Sequence, residues 1–201
     1  MAVNTLGFSI ATLFIVRLAK GPSSIIETGL GARIETLFFS GFVVGAIVGP
    51  MQAYILKRKV SGFRIWQWIL ASILSSYAGA FLATIGLWLF DSIWTIPLIA
   101  SWVVPSIFGA IVGICVGFGQ VFVLDRHVRG LGRWWTANTI GRSLGWVSAY
   151  FAWALLQGIQ PIVLLDDSIS VIVVPLVYGA VGGLVYGGVT AMALPNLTQR
   201  Q

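Results

Sequence analysis

Long apolar runs separated by short polar links set the pattern of this chain. The runs fall at about 4–19, 36–56, 66–90, 97–124, 134–157 and 169–194. A helix rises 1.5 Å per residue, so about 30 Å of hydrocarbon takes roughly 20 residues. Every run but the first has that length. The first lies near the limit between a span and an interfacial segment, and Arg17 at its end extends its reach by snorkelling outward. The pattern predicts an all-α fold, a polytopic transmembrane helical bundle of six spans, with residues 1–201 forming a single domain.

A second regularity lies inside the runs. A shift of 68 positions carries Gly41, Gly45, Gly49, Gln52, Leu56, Arg58, Gly62 and Trp66 onto Gly109, Gly113, Gly117, Gln120, Leu124, Arg126, Gly130 and Trp134. A further shift of 70 carries Pro105 onto Pro175 and the glycines of the fourth run onto Gly179, Gly183 and Gly187. Thr190 then takes the place of the glutamine, and Leu194 that of the leucine. The other three runs carry small residues too: Gly7 and Ala11; Ala71, Ser75, Gly79 and Ala83; Ala137, Gly141, Gly145 and Ala149. This reads as three tandem helical hairpins, at about 4–64, 65–132 and 133–201, with one orientation in the bilayer. Parallel copies of this kind are related by an axis along the membrane normal. The simplest arrangement is a pseudo-threefold bundle.

Helical geometry puts the glutamine in line with the glycines. From Gly41 to Gln52 the helix advances about 1100°, returning to within about 20° of its start. Small residues let helix backbones approach closely in a membrane, and an amide at the end of the groove can bond across it. Left facing lipid, an unpaired amide costs several kcal/mol. Gln52 and Gln120 are therefore expected to point inward, with Thr190 as their counterpart. Gln52 lies five residues from Lys57, about 7–8 Å inside its helix end, short of the midplane where transporter sites lie.

Composition supports the membrane reading. Hydrophobic residues make up 58% of the chain and charged residues 9%, against about 25% charged in ordinary soluble domains. The net charge of +6 raises the question of nucleic acid. The basic residues, however, sit in short blocks between apolar runs, as the positive-inside rule produces, and nucleic acid is not an expected partner. Lys57, Arg58, Lys59 and Arg64 fill one link, Arg126, Arg129 and Arg133 another, and Arg200 joins them in the tail. The opposite side offers Asp91, Asp166 and Asp167, with Lys20 and Arg33 offset by Glu27 and Glu35. The basic links and both termini are therefore expected in the cytoplasm. Trp66, Trp68, Trp134 and Trp135 are read as marking that interface, and Trp88 and Trp94 the other.

Chemistry has little to work with. Cys115 is alone in an apolar run and reads as a small hydrophobe. His127 sits beside Arg126 in a basic link, where a headgroup contact is expected. Asp166 and Asp167 with Ser168 read as a helix start capped by Ser168. No catalytic set, cofactor motif or metal-ligand spacing is read. The N-terminus has no basic residue before its apolar stretch and is not read as a removed signal peptide. The exception is Arg142, nine residues from Arg133 and so about 13 Å deep. An intramembrane arginine costs at least about 2.5–3.5 kcal/mol and marks a functional candidate. Carbonyls, Gln120, Asn138 one turn nearer the cytoplasm, water or an incoming anion are its candidate partners.

The unit Gly-x3-Gly-x2-Gln-x3-Leu-x-Arg-x7-Trp, carried by Gly49, Gln52, Leu56, Arg58 and Trp66, resembles a repeat of uncharacterised bacterial membrane proteins common in cyanobacteria. Their unit usually reads Gln-Trp-Leu-Val-Leu-Arg, and here Ala53 and Val121 replace the tryptophan. The resemblance implies a multi-pass inner- or thylakoid-membrane protein and brings no activity with it. In size and span number the chain is also similar to the substrate-binding subunits of energy-coupling-factor vitamin transporters. Two functional expectations follow. The first is a non-catalytic bundle in the lipid bilayer, either a homo-oligomer or a packing subunit of a membrane complex. The alternative is a small-solute or anion transporter component lined by Arg142, Gln52, Gln120 and Thr190, with a cavity reaching Arg142.

Overall fold

A computed structural model describes residues 2–18, 30–89, 97–158, 167–194 and 198–199. Six helices account for nearly all of them: α1 (Ala2–Leu18), α2 (Leu30–Lys57), α3 (Ile65–Leu89), α4 (Pro97–Leu124), α5 (Leu131–Gly158) and α6 (Asp167–Ala193). Each covers one apolar run, to within about three residues except at the start of α2, which precedes its run by about six. Three of them, over Ile65–Gly86, Val103–Leu124 and Pro175–Ala193, are long and apolar enough to cross a membrane. That gives the chain a membrane-like character.

Each helix packs on the next in sequence, and α1 packs on α6 as well as on α2, so the six close into a ring. Small residues set the spacing between neighbours. At Gly113 of α4 a Cβ would stand 2.6 Å from the Asn138 carbonyl oxygen and 2.7 Å from Thr139 Cα of α5. No side chain fits there, and the two backbones touch. Gly45 meets Ser72 O and Ile73 Cα of α3 in the same way, and Gly183 meets Asn4 O and Thr5 Cα of α1. Gly49 faces Ser72, Gly109 faces Arg142 and Ser143, and Gly117 faces Trp135. Gly179 and Gly187 are buried, while the surroundings of Gly41 lie outside the described residues. Gly45, Gly49, Gly109, Gly113, Gly117 and Gly183 are thus taken up by contacts within the chain.

Three apolar clusters fill the interior. One, at the end carrying the basic links, joins Ala53, Leu56, Val60, Phe63, Trp68, Leu124, Val128, Trp134 and Ala193. The other two lie further along the axis: Phe8, Ala11, Val44, Val48 and Tyr186 on one side, and Ala80, Ala83, Phe108, Val112 and Val116 on the other. The exposed surface carries Phe118, Phe122, Leu155 and Met192.

The basic links have their own geometry. Gly62 (φ 72°) and Gly130 (φ 85°) each precede a helix in the left-handed conformation that glycine adopts without steric cost. A Cβ at Gly62 would lie 3.5 Å from the His127 ring, so the two links meet. Two short strands, β1 (Val128–Arg129) and β2 (Thr198–Gln199), pair antiparallel and tie the tail to the α4–α5 link.

Two sequence expectations need correction. Trp66 (61% exposed) and Trp135 (42%) lie at the surface, but Trp68 (0%) and Trp134 (3%) are inside, with ring centroids 6.1 Å apart. Nearness to a basic link gives the same signal for either orientation, and the helix rotation decides between them. Helix α6 begins at Asp167, which places Ser168 inside its first turn and not at the cap. Lys20, Glu27, Asp91, Trp94, Asp166 and Arg200 lie outside the described residues, as do the side chains of Arg17, Arg33, Glu35 and Trp88.

Candidate functional site

One polar side chain from each helix meets in the middle of the ring, and all six are buried: Asn4, Gln52, Ser72, Gln120, Asn138 and Thr190. Tyr186 of α6 makes a seventh member. Gln120 donates from Nε2 to Gln52 Oε1 (3.1 Å) and Ser72 Oγ (3.2 Å), while its own Oε1 accepts from Trp134 Nε1 (3.1 Å). Gln52 in turn donates from Nε2 to Asn4 Oδ1 (3.1 Å) and Tyr186 Oη (3.3 Å). Asn4 donates to Thr190 Oγ1 at 3.2 Å, which closes the path between α1 and α6. Tyr186 passes its proton side to Asn138 Oδ1 at 2.7 Å, and Asn138 Nδ2 donates to the Trp134 carbonyl at 3.0 Å.

Chain geometry explains why these side chains converge. Asn4, Ser72 and Asn138 each sit beside the helix contact made by Gly183, Gly45 or Gly113. The glycine brings the neighbouring helix close, and the amide or hydroxyl one to two turns along the same helix then reaches across. In a low-dielectric interior each unmade bond of such a layer costs about 1–3 kcal/mol. The layer is therefore held as a unit.

Arg142 lies one turn beyond Asn138 on α5 and is 3% exposed. Its guanidinium carbon stands 5.1 Å from the Tyr186 ring centroid and 5.9 Å from that of Phe8. Phe8 belongs to α1, which α6 separates from α5 around the ring, so Arg142 reaches inward across the axis. Its Nε has no hydrogen-bond partner among the described residues, and the same holds for Trp68 Nε1, Ser76 Oγ and Trp146 Nε1.

On the basic-end side of the network lies a cavity of about 50 Å³. Asn4, Gln52, Thr190 and Trp134 form its polar wall, and Leu56 and Leu194 its apolar one. This is room for a few waters at most, since one takes about 10–15 Å³ by this measure. Arg142 is not among its lining residues.

Of the positions the sequence singled out, Gln52, Gln120, Asn138 and Thr190 come together in one layer. Arg142 sits next to that layer, on aromatic faces that were not among its expected partners. Sequence reasoning missed Asn4, Ser72, Trp134 as a donor, and Tyr186. A signal for two of them was present: the same shift of 68 that aligns the glycines carries Asn4 onto Ser72, and 66 more positions reach Asn138. No protein-family model, curated protein or solved structure matches the chain.

Proposed function

We propose that the chain is a six-span, non-catalytic integral membrane protein built from three tandem helical hairpins, working as a self-associating bundle or as a packing subunit of a membrane complex. The observation that carries this reading is the buried layer to which all six helices contribute. Its donors and acceptors are spent on one another, as in a structural core, and not held open for a reacting substrate.

The tandem arrangement is supported by three equivalent contacts. A Cβ added at Gly45 of α2, Gly113 of α4 or Gly183 of α6 would stand 2.6–2.8 Å from a carbonyl oxygen and the following Cα of α3, α5 or α1 respectively. The third of these joins the two ends of the chain, as a pseudo-threefold bundle requires. Since the small residues are used up inside, association with other subunits falls to the exposed apolar faces around Phe118, Phe122 and Met192. The basic links set both termini on the cytoplasmic side. The resemblance to cyanobacterial-type multi-pass proteins agrees with a bacterial inner or thylakoid membrane.

Light scattering and cross-linking of protein extracted in mild detergent test this reading. Oligomers or a co-purifying membrane subunit are expected. A lone monomer with no cross-linked partner would overturn it.

A second reading, a small-solute or anion transporter component using Arg142, Gln52, Gln120 and Thr190, is favoured by the Arg142 Nε, which has no hydrogen-bond partner among the described residues. Anion flux into proteoliposomes, abolished by Arg142→Met in protein that assembles normally, is its expected signature. Equal flux in the variant and in empty vesicles removes it.

A further inference from the structure

We infer that the bundle binds an anionic phospholipid, with its phosphate at Arg64 and Arg126 and its acyl chains along the outer face of α3. The inference rests on the membrane reading of the chain, since it needs a bilayer around the bundle. It starts from a charge imbalance. The basic end carries Lys57, Arg58, Lys59, Arg64, Arg126, Arg129 and Arg133 against a single carboxylate, Asp125, and every one of these residues is exposed. One acid cannot offset them. The excess charge calls for anions from outside the chain.

Packing singles out one place on this end. The His127 ring lies 3.5 Å from a Cβ built on Gly62, so the α2–α3 and α4–α5 links touch there. Arg64 is two residues from Gly62, and Arg126 is next to His127. Arg64 directly precedes α3, and Arg126 follows the end of α4 by two residues, on helices that pack against each other. Two guanidinium groups therefore flank one contact between links. Neither has an ion pair among the described residues.

Beneath them the surface turns apolar. Trp66, Leu70 and Leu74 follow one another by single turns of α3 and are 61%, 48% and 57% exposed. Leu74 adjoins Ser75, whose Cβ lies 2.8 Å from a Cβ built on Gly119 of α4, so the row runs down to the α3–α4 seam. An indole at headgroup level with leucines below it suits a lipid chain. Guanidinium groups bind phosphate oxygens through paired N–H donors. Clusters of about four to eight basic residues at the cytoplasmic end of membrane helices attract anionic lipids. A zwitterionic lipid would bring a cation of its own beside the arginines, so the site selects a headgroup with net negative charge.

The test titrates the full-length protein in neutral detergent with phosphatidylglycerol or with phosphatidylcholine of the same acyl chains. Unfolding temperature and native mass spectrometry of bound lipid are the readouts. Phosphatidylglycerol is expected to stabilise saturably and to bind at least about fivefold more tightly. Arg64→Gln and Arg126→Gln are each expected to weaken it about fivefold. Arg58→Gln removes the same charge from a side chain laid on the Tyr54 ring and is expected to leave the affinity unchanged. Equal responses to the two lipids, equal losses in all three variants, or the same stabilisation by inorganic phosphate alone would each overturn the site. Helicity and detergent-bound mass on the same samples separate the two readings. A folded, detergent-clad bundle indifferent to headgroup removes the site alone, whereas a chain that takes up no detergent removes the membrane reading with it.

Discussion

Arg142 and Tyr186 are stacked, with the guanidinium carbon 5.1 Å from the ring centroid, while the hydroxyl of that ring donates to Asn138 at 2.7 Å. Helix α5 thus grips one residue of α6 at two points a turn apart, by its face and by its tip. Tyr186→Phe keeps the face and loses the tip, leaving Gln52 and Asn138 short of a partner. A loss of about 1–3 kcal/mol is expected. Tyr186→Leu loses both and is expected to cost more, as measured by unfolding in mixed micelles.

Gly113→Ala places a methyl group 2.6 Å from the Asn138 carbonyl oxygen. The backbone there cannot yield without separating α4 from α5, and overpacking of this kind costs about 1–3 kcal/mol. Gly132→Ala is the matched control. A Cβ there meets nothing within 4 Å, and its unfolding temperature is expected to equal or exceed that of the wild type. Equal behaviour of the two variants would refute the close α4–α5 contact.

The Gln120–Gln52 bond spans 68 positions of sequence. A double-mutant cycle with Gln52→Ala and Gln120→Ala is expected to give a coupling near 0.6 kcal/mol and no more than about 2, the range of interhelical bonds in membranes. Gln120→Leu alone is expected to cost more than the coupling, because Trp134 Nε1 and Ser72 lose their partner together.

Orientation is open to direct labelling. In a Cys115→Ala background, Ser61→Cys and Gly132→Cys are expected to react with a membrane-impermeant maleimide only from the cytoplasmic side. Both residues are exposed in the basic region. Reaction from the opposite side would invert the topology.

The sequence was most legible where a signal is one-dimensional. Apolar length placed every helix, all but the start of α2 to within about three residues, and the 100° step placed Gln52 and Gln120 on the interior face. It was least legible where rotation about a helix axis decides. Trp68 and Trp66 are two residues apart and equally near the basic link, yet one is fully buried and the other is 61% exposed. Tyr186 looks like any aromatic in an apolar run until Asn138 and Arg142 are placed around it. Asn4 gave the faintest signal of all, since its partners Gln52 and Thr190 lie 48 and 186 positions away.

The contact between α1 and α6 sets an order of events at the ribosome. Translation proceeds at about 5–20 residues per second, so roughly 10 to 40 seconds separate the emergence of Asn4 from that of Thr190. Of the two helices that flank the first in the ring, only α2 is complete during that interval. The Asn4 amide must wait for a hydroxyl not yet made. The last helix synthesised is the one that locks the first in place.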